Sequence, residues 1–312
     1  MREGKSNQAP PSQLASPSPS DANDRRSEGP QLRVCVQGGG MRVAYGLGAM
    51  LALRSEAPFP IASFSCSSAG SVAPLVYLSR DPQALIERIF TMLSGKRFIN
   101  PRRIHRVADI DYFVDEVLGA DDFNSVGAPG APEVWVSIVG ARSAVLRHVR
   151  FTPETARELL RATSAVPVLY GRAVPLPIGG TYVDGGVGDA IPLVHALGLA
   201  AAGDVVVATA TKPLARLEDP ARPRSERIAV RIDRRISGAV RHLLLAPNPL
   251  VTMATHLIRQ EHVAGVPILL CEPTDESLNF SRTMNSLTEL WASCEQGRAD
   301  MTNTLSRIVG ST

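Results

Sequence analysis

The stretch Phe64-Ser65-Cys66-Ser67-Ser68-Ala69-Gly70-Ser71-Val72 sets a serine among small residues, after a short apolar approach and before an apolar run. A nucleophilic serine at a strand-to-helix turn needs small neighbours because the backbone doubles back tightly there, and the following helix aims its positive end at the site. Ser68 meets that need, with Cys66, Ala69 and Gly70 beside it. Taken alone, Ser-Ala-Gly reads as an ordinary helix N-terminus capped by Ser67 or Ser68. Two further glycine-bearing turns raise the chemistry. Gly38-Gly39-Gly40-Met41-Arg42 can converge backbone N–H groups on one point, which suits an oxyanion or a phosphate. Asp184-Gly185-Gly186 can hold a carboxylate close enough to orient and deprotonate a serine. Each of these also reads alone as a plain turn. The glycine loop is neither a dinucleotide fingerprint, since Val43 stands where a glycine is needed, nor a P-loop, since Gly-Lys-Ser/Thr is absent.

Strands and helices must carry these turns. Leu32 to Gln37 reads as a strand ending at the glycines, and Val43 to Leu53 as a buried helix after them. Pro60 to Ser65 is a second strand, leading into the serine turn, with Ser71 to Leu78 as its helix. Asp81-Pro82 starts a helix that runs to about Leu93. An amphipathic segment covers Asp111 to Leu118. Val134, Val136 and Ile138 alternate in a strand from Glu133 to Val139, paired as a hairpin with Val145 to Phe151, and a helix capped at Thr152 follows. Thr181 to Val183 enters the aspartate turn, Pro192 to Ala202 is helical, and Asp204 to Ala210 is a buried strand. Lys212 to Arg227 has the composition of a mobile loop; Ile228 to Ile232 and Val266 to Cys271 read as further strands, and Leu287 to Val309 as a closing helix. Alternating strands and helices indicate a three-layer α/β/α fold around a largely parallel sheet.

With 312 residues and 44% hydrophobic content, the chain has enough apolar surface for a substantial core. A net charge of +3 from 33 basic and 30 acidic residues gives no broad field for nucleic acid, so no nucleic-acid partner is expected. Cys35, Cys66, Cys271 and Cys294 are scattered without C-x-x-C spacing, which points to a reducing, cytoplasmic setting. His256 and His262 miss the spacing of a zinc helix, and neither a metal nor a cofactor is expected. No run approaches the roughly 20 apolar residues of a spanning helix. Residues 1–30, rich in Ser, Pro, Asn, Asp and Gln, read as a disordered tail ahead of a domain over 31–312.

In this order and at these separations the three turns resemble the patatin-like phospholipase family, whose patterns are G-G-G-x-R-G, G-x-S-x-G and D-G-G or D-G-A. Tyr45, Gly48, Arg97-Phe98-Ile99, Asp109 to Tyr112, Ser164 to Pro167 and Ile191-Pro192 are also similar, so the likeness spans about residues 31 to 310. The chain departs at Val43, in place of the last glycine of the first pattern, and at Cys66, in place of the first glycine of the second. The resemblance implies a Ser-Asp dyad: Ser68 attacks an ester carbonyl, Asp184 takes its proton, and N–H groups of Gly38, Gly39 and Gly40 bind the oxyanion. Arg42 would brace the loop, and Gly70, Gly185 and Gly186 would support the turns. The implied substrate is a lipid or other acyl ester.

Two other classes compete with this expectation. A Ser-Asp-His triad would recruit His195, His256 or His262, all of which follow Asp184. A protein that binds lipid or a partner without turnover would account for Val43 and Cys66. Finally, Ile236 to Leu245 is apolar on one side and basic through Arg234, Arg235 and Arg241. It reads either as a helix packed on the core or as a channel wall that touches anionic bilayers at the membrane periphery.

Overall fold

The computed structural model describes residues 29–103, 106–217, 224–275 and 281–309. Nearly all of the expected N-terminal tail, and part of the expected loop after Lys212, lie outside them. In chain order the first half contains β1 (Leu32–Val36), α1 (Val43–Glu56), β2 (Ile61–Ser67), α2 (Ala73–Leu78), α3 (Pro82–Leu93), α4 (Ile110–Tyr112), α5 (Asp121–Asn124), β3 (Glu133–Gly140) and β4 (Leu146–Arg150). The second half contains α6 (Ala156–Thr163), β5 (Val174–Pro175), β6 (Thr181–Asp184), α7 (Leu193–Leu199), β7 (Val205–Thr209), α8 (Leu214–Leu217), α9 (Arg224–Ile232), α10 (Gly238–Leu245), α11 (Pro249–Gln260), β8 (His262–Val263), β9 (Val266–Cys271) and α12 (Leu287–Val309).

The sheet runs in the order β5-β6-β3-β2-β1-β7-β9-β8, with β4 also paired to β3. Its centre, β3-β2-β1-β7-β9, is parallel, and β4, β5, β6 and β8 add antiparallel pairings. Alternate strand residues feed two cores, as a period-2 structure buried on both faces requires. Val34 and Val36 of β1, with Val205 and Val207 of β7, join the core shared with α1 and α12. Cys35, Val206, Ala208 and Ile268 face the opposite core, with Leu193 and Ala196 of α7 and Ala254 and Ile258 of α11. Each Val, Leu or Ile side chain among them stabilises the fold by about 1.5–3 kcal/mol when fully buried. The layering is the α/β/α arrangement that the sequence pattern indicates.

Local signals explain several boundaries. Asp81 caps α3 by accepting the Ala84 N–H at 3.0 Å, with Pro82 at the first helical position. Asn248 does the same for α11, accepting from Leu250 and Val251, ahead of Pro249. Three differences from expectation go beyond small shifts at element ends. The helix after the hairpin begins at Ala156, and its N-cap is Thr155; the Thr152 hydroxyl bonds to that of Thr155 instead of capping the helix. Leu214–Leu217 is helical within the expected loop. Ile228 to Ile232 is not a strand but the end of α9, because a short apolar run fits either period. Only Val230 of that run is fully buried, and Arg241 donates to the carbonyls of Val230, Asp233 and Ile236 around its C-terminal end.

Candidate active site

Strand register brings the serine and the aspartate together. β2 pairs with β3 as far as Ser67 opposite Ser137, and then the chain turns away at Ser68. β3 continues, and β6 fills the vacated edge in the antiparallel sense, with Asp184 opposite Ile138. Asp184 therefore occupies the lateral position next to the one β2 has just left. The Ser68 hydroxyl donates to Asp184 Oδ2 at 2.6 Å, and both residues are buried, at 7% and 4% exposure.

Ser68 holds φ +53°, a left-handed conformation that is uncommon for a residue with a Cβ and that recurs at functional turns. Its backbone N–H donates to Thr163 Oγ1 at 2.9 Å, and that hydroxyl donates on to the Ser137 carbonyl at 2.7 Å. Asp184 is held on both sides. Its N–H donates to the Ala165 carbonyl at 3.1 Å, and its Oδ1 accepts the Gly186 N–H at 2.6 Å. Gly185 is required by close approach, since a Cβ there would lie 2.0 Å from the Ser137 carbonyl oxygen. Gly70 lies against the end of β1, beside the carbonyls of Val36 and Gln37.

The glycine loop closes over the serine. A Cβ on Gly38 would fall 2.7 Å from Ser68 Cβ, so only glycine lets the two backbones meet. The Gly38 N–H, expected among the oxyanion donors, is engaged by the Ala190 carbonyl at 3.2 Å. The N–H groups of Gly39 and Gly40 have no acceptor among the described residues. Thr211 braces the loop by donating to the Gly38 carbonyl, and the Arg282 carbonyl accepts the Met41 N–H. Arg42 lies beside Arg282, and burial first, then that neighbouring charge, pulls its guanidinium down to about 10. Its Nε has no partner among the described residues. Arg282 itself is paired with Glu226 at 2.9 Å.

Neither departure from the family patterns touches the Ser68–Asp184 pair. Val43 begins α1 with helical dihedrals, φ −56° and ψ −22°, where no glycine is needed. Cys66 lies inside β2 with its side chain in the core, and burial raises its thiol pKa well above the ordinary value. Ser67 occupies the N-cap position, yet its hydroxyl makes no capping bond and is buried without a partner among the described residues.

Ser68 and Asp184 open into a cavity of about 450 Å³. Its apolar lining includes Val166, Leu169, Leu243, Leu244 and Val251, and its basic lining includes Arg42, Lys212, Arg216 and Arg282. Among its lining residues there is no histidine. His195 Nδ1 bonds to Ser65 Oγ at 2.9 Å, and His256 bonds to Gln260 on the exposed side of α11. Among the described residues, no cluster of His, Cys, Asp and Glu could hold a metal ion. Thr163, Thr211 and Arg282 are the positioning residues that motif reading missed. Thr163 alone carried a signal, as the residue just before the Ser164 to Pro167 stretch.

The sequence model described as Patatin-like phospholipase matches residues 34–197, over half of the chain. Among solved structures, the chain is similar to the crystal structure of VipD from Legionella pneumophila. That likeness has 14% identity and a TM-score of 0.44, and it covers 90% of this chain and 67% of that one. No curated protein matches the chain in sequence.

Proposed function

The chain belongs to the patatin-like phospholipase family, and from that premise we propose that it is a serine lipid acyl hydrolase acting through Ser68 and Asp184. The observation that carries the reading is the 2.6 Å bond between a strained, cavity-facing serine and a carboxylate. In the first step Ser68 Oγ attacks the ester carbonyl carbon while its proton passes to Asp184 Oδ2. The oxyanion of the tetrahedral intermediate is bound by the N–H groups of Gly39 and Gly40, with Gly38 shaping the loop. Collapse of the intermediate breaks the ester C–O bond, and the departing alkoxide takes the proton from Asp184. Water then attacks the acyl-serine with Asp184 again as base, releasing the fatty acid and restoring Ser68.

The cavity supports a lipid ester as substrate. Leu243, Leu244 and Val251 offer an apolar wall for the acyl chain, and Arg42, Arg216 and Arg282 offer a basic side for a polar, anionic remainder. Binding without turnover finds less support, since Val43 and Cys66 both lie off the cavity. A Ser-Asp-His triad also finds less support, since His195 is bonded to Ser65. Hydrolysis of p-nitrophenyl butyrate tests the reading: wild type turns it over, Ser68→Ala does not, and Asp184→Asn is slower by about 10²–10⁴. Wild-type protein that is folded but silent on short- and long-chain esters alike would refute it.

A further inference from the structure

Helix α9 carries a surface that the hydrolase reaction does not use. Inward, Val230 is fully buried with Ile236, Val240 and Leu244. Outward, Arg227, Ile228, Arg231 and Ile232 are all exposed, and spacings of three and four residues put them on one side of the helix. Ile228 is 56% exposed and Ile232 72%, the largest values among the exposed large apolar side chains of the described residues. The charges beside them also differ from those of the ion-paired arginines. Elsewhere Arg33 is paired with Asp204, Arg88 with Asp122 and Arg172 with Asp111. Arg227, Arg231 and Arg234 have no carboxylate partner among the described residues, and the local acids are committed elsewhere: Glu226 to Arg282 and Asp233 to Arg235.

The helix is tied to two parts of the cavity lining. Glu226 at its start holds Arg282, which lines the cavity with Ser68. Arg241 ties its other end to α10, whose Leu243 and Leu244 form the apolar wall. Arg241, whose sequence context suggested a bilayer contact, is thus spent on backbone carbonyls, and Arg235 on Asp233.

We propose that α9 is the docking helix by which the protein seats its cavity mouth on an anionic bilayer. Ile228 and Ile232 enter the boundary between headgroups and acyl chains, while Arg227, Arg231 and Arg234 meet lipid phosphates. An exposed apolar pair flanked by cations with no carboxylate partner among the described residues has the composition of an interfacial helix, and it complements a surface that is anionic outside and apolar beneath. Each basic residue close to such a surface strengthens partitioning by about fivefold. The proposal rests on the hydrolase reading for its purpose, since a lipid surface beside the mouth supplies the substrate.

The test sediments the full chain with vesicles of phosphatidylglycerol mixed into phosphatidylcholine, and with vesicles of phosphatidylcholine alone. Wild type is compared with an Ile228→Ser, Ile232→Ser pair and an Arg227→Gln, Arg231→Gln, Arg234→Gln triple, each checked by circular dichroism and by turnover of p-nitrophenyl butyrate. Wild type should bind the anionic vesicles preferentially, and both variants should bind them at least about tenfold more weakly while turning over the soluble ester within about twofold of wild type. Failure of wild type to bind anionic vesicles, or undiminished binding by both variants, overturns the proposal. A wild-type dimer by light scattering that the isoleucine pair dissolves, without vesicle binding, assigns the face to self-association and overturns it too. Vesicle binding that follows the expected pattern with no ester turnover in any protein counts against the hydrolase reading and leaves the docking surface standing.

Discussion

Ser65 and Ser68 belong to one short segment, yet their surroundings are opposite. Ser65 lies inside β2, 1% exposed, with its hydroxyl on His195. The His195 ring stacks on His148 at 4.1 Å, and His148 Nε2 meets Asp189 Oδ2 at 3.1 Å. Ser, His and Asp are thus all present, but the two rings are stacked and the serine does not line the cavity. Ser68 has a carboxylate and no histidine, and it stands at a left-handed turn open to 450 Å³ of space. Under the proposed mechanism, the difference teaches that the residue types around a serine do not make it a nucleophile. Backbone position does, because attack needs an accessible Oγ, a base within reach and N–H donors on the far side of the carbonyl.

The comparison breaks most easily at the base. Asp184→Asn should lower kcat/KM by about 10²–10⁴, while His148→Gln and His195→Gln should stay within a few fold. A folded His195→Gln protein as inactive as Asp184→Asn would move the chemistry to the histidine assembly. Next in size is Gly38→Ala, whose new methyl group would sit 2.7 Å from Ser68 Cβ and displace the glycine loop. Steady-state kinetics should show kcat down by about 10²-fold, the scale of losing an oxyanion donor, and an unchanged kcat would contradict the role given to the loop. Thr163→Val is gentler. It removes the acceptor of the Ser68 N–H and should cost about 1–3 kcal/mol in urea unfolding, with a loss of about tenfold in kcat; Thr163→Ser should restore both.

The smallest effect separates stability from catalysis. Burial, then the neighbouring His148, lowers the His195 pKa to about 4, against about 6.5 when unfolded. As pH falls through that interval the unfolded chain takes up the proton first, so stability is lost between about pH 6.5 and pH 4. With a discount for partial exposure, the loss from pH 7 to pH 5 is about 1–2 kcal/mol. Urea midpoints at the two pH values should show it in wild type, and His195→Gln should flatten it without altering turnover at pH 7. An equal slope in the variant would show that another group sets it.

The sequence was most legible where composition dictates backbone geometry. Three glycine-bearing turns on strand ends are visible as letters, and the structure brings all three together around one cavity. Val205 to Thr209 and Leu287 to Val309 were legible because long apolar or periodic runs leave one solution. What lay beyond reach depended on partners distant in the chain. That Asp184 faces Ile138 follows from β2 leaving the sheet, which is a register fact and not a pattern. The Gly38 N–H is taken by Ala190, a residue with no motif of its own, so a run of three glycines did not reveal which amides remain available. Ile228 to Ile232 misled because alternation over so few residues cannot tell a strand from a helix whose isoleucines point outward.

The central claim is that Ser68, by its position on the backbone, is the nucleophile and that its histidine-bonded neighbour is not. A fluorophosphonate probe, which bonds covalently to an activated serine, tests this directly when the labelled peptide is read by mass spectrometry in wild type, Ser65→Ala, Ser67→Ala and Ser68→Ala. The account predicts labelling on Ser68 in the first three proteins and none in the fourth. Labelling that survives Ser68→Ala, or that is lost with Ser65→Ala while the fold is intact, would contradict it.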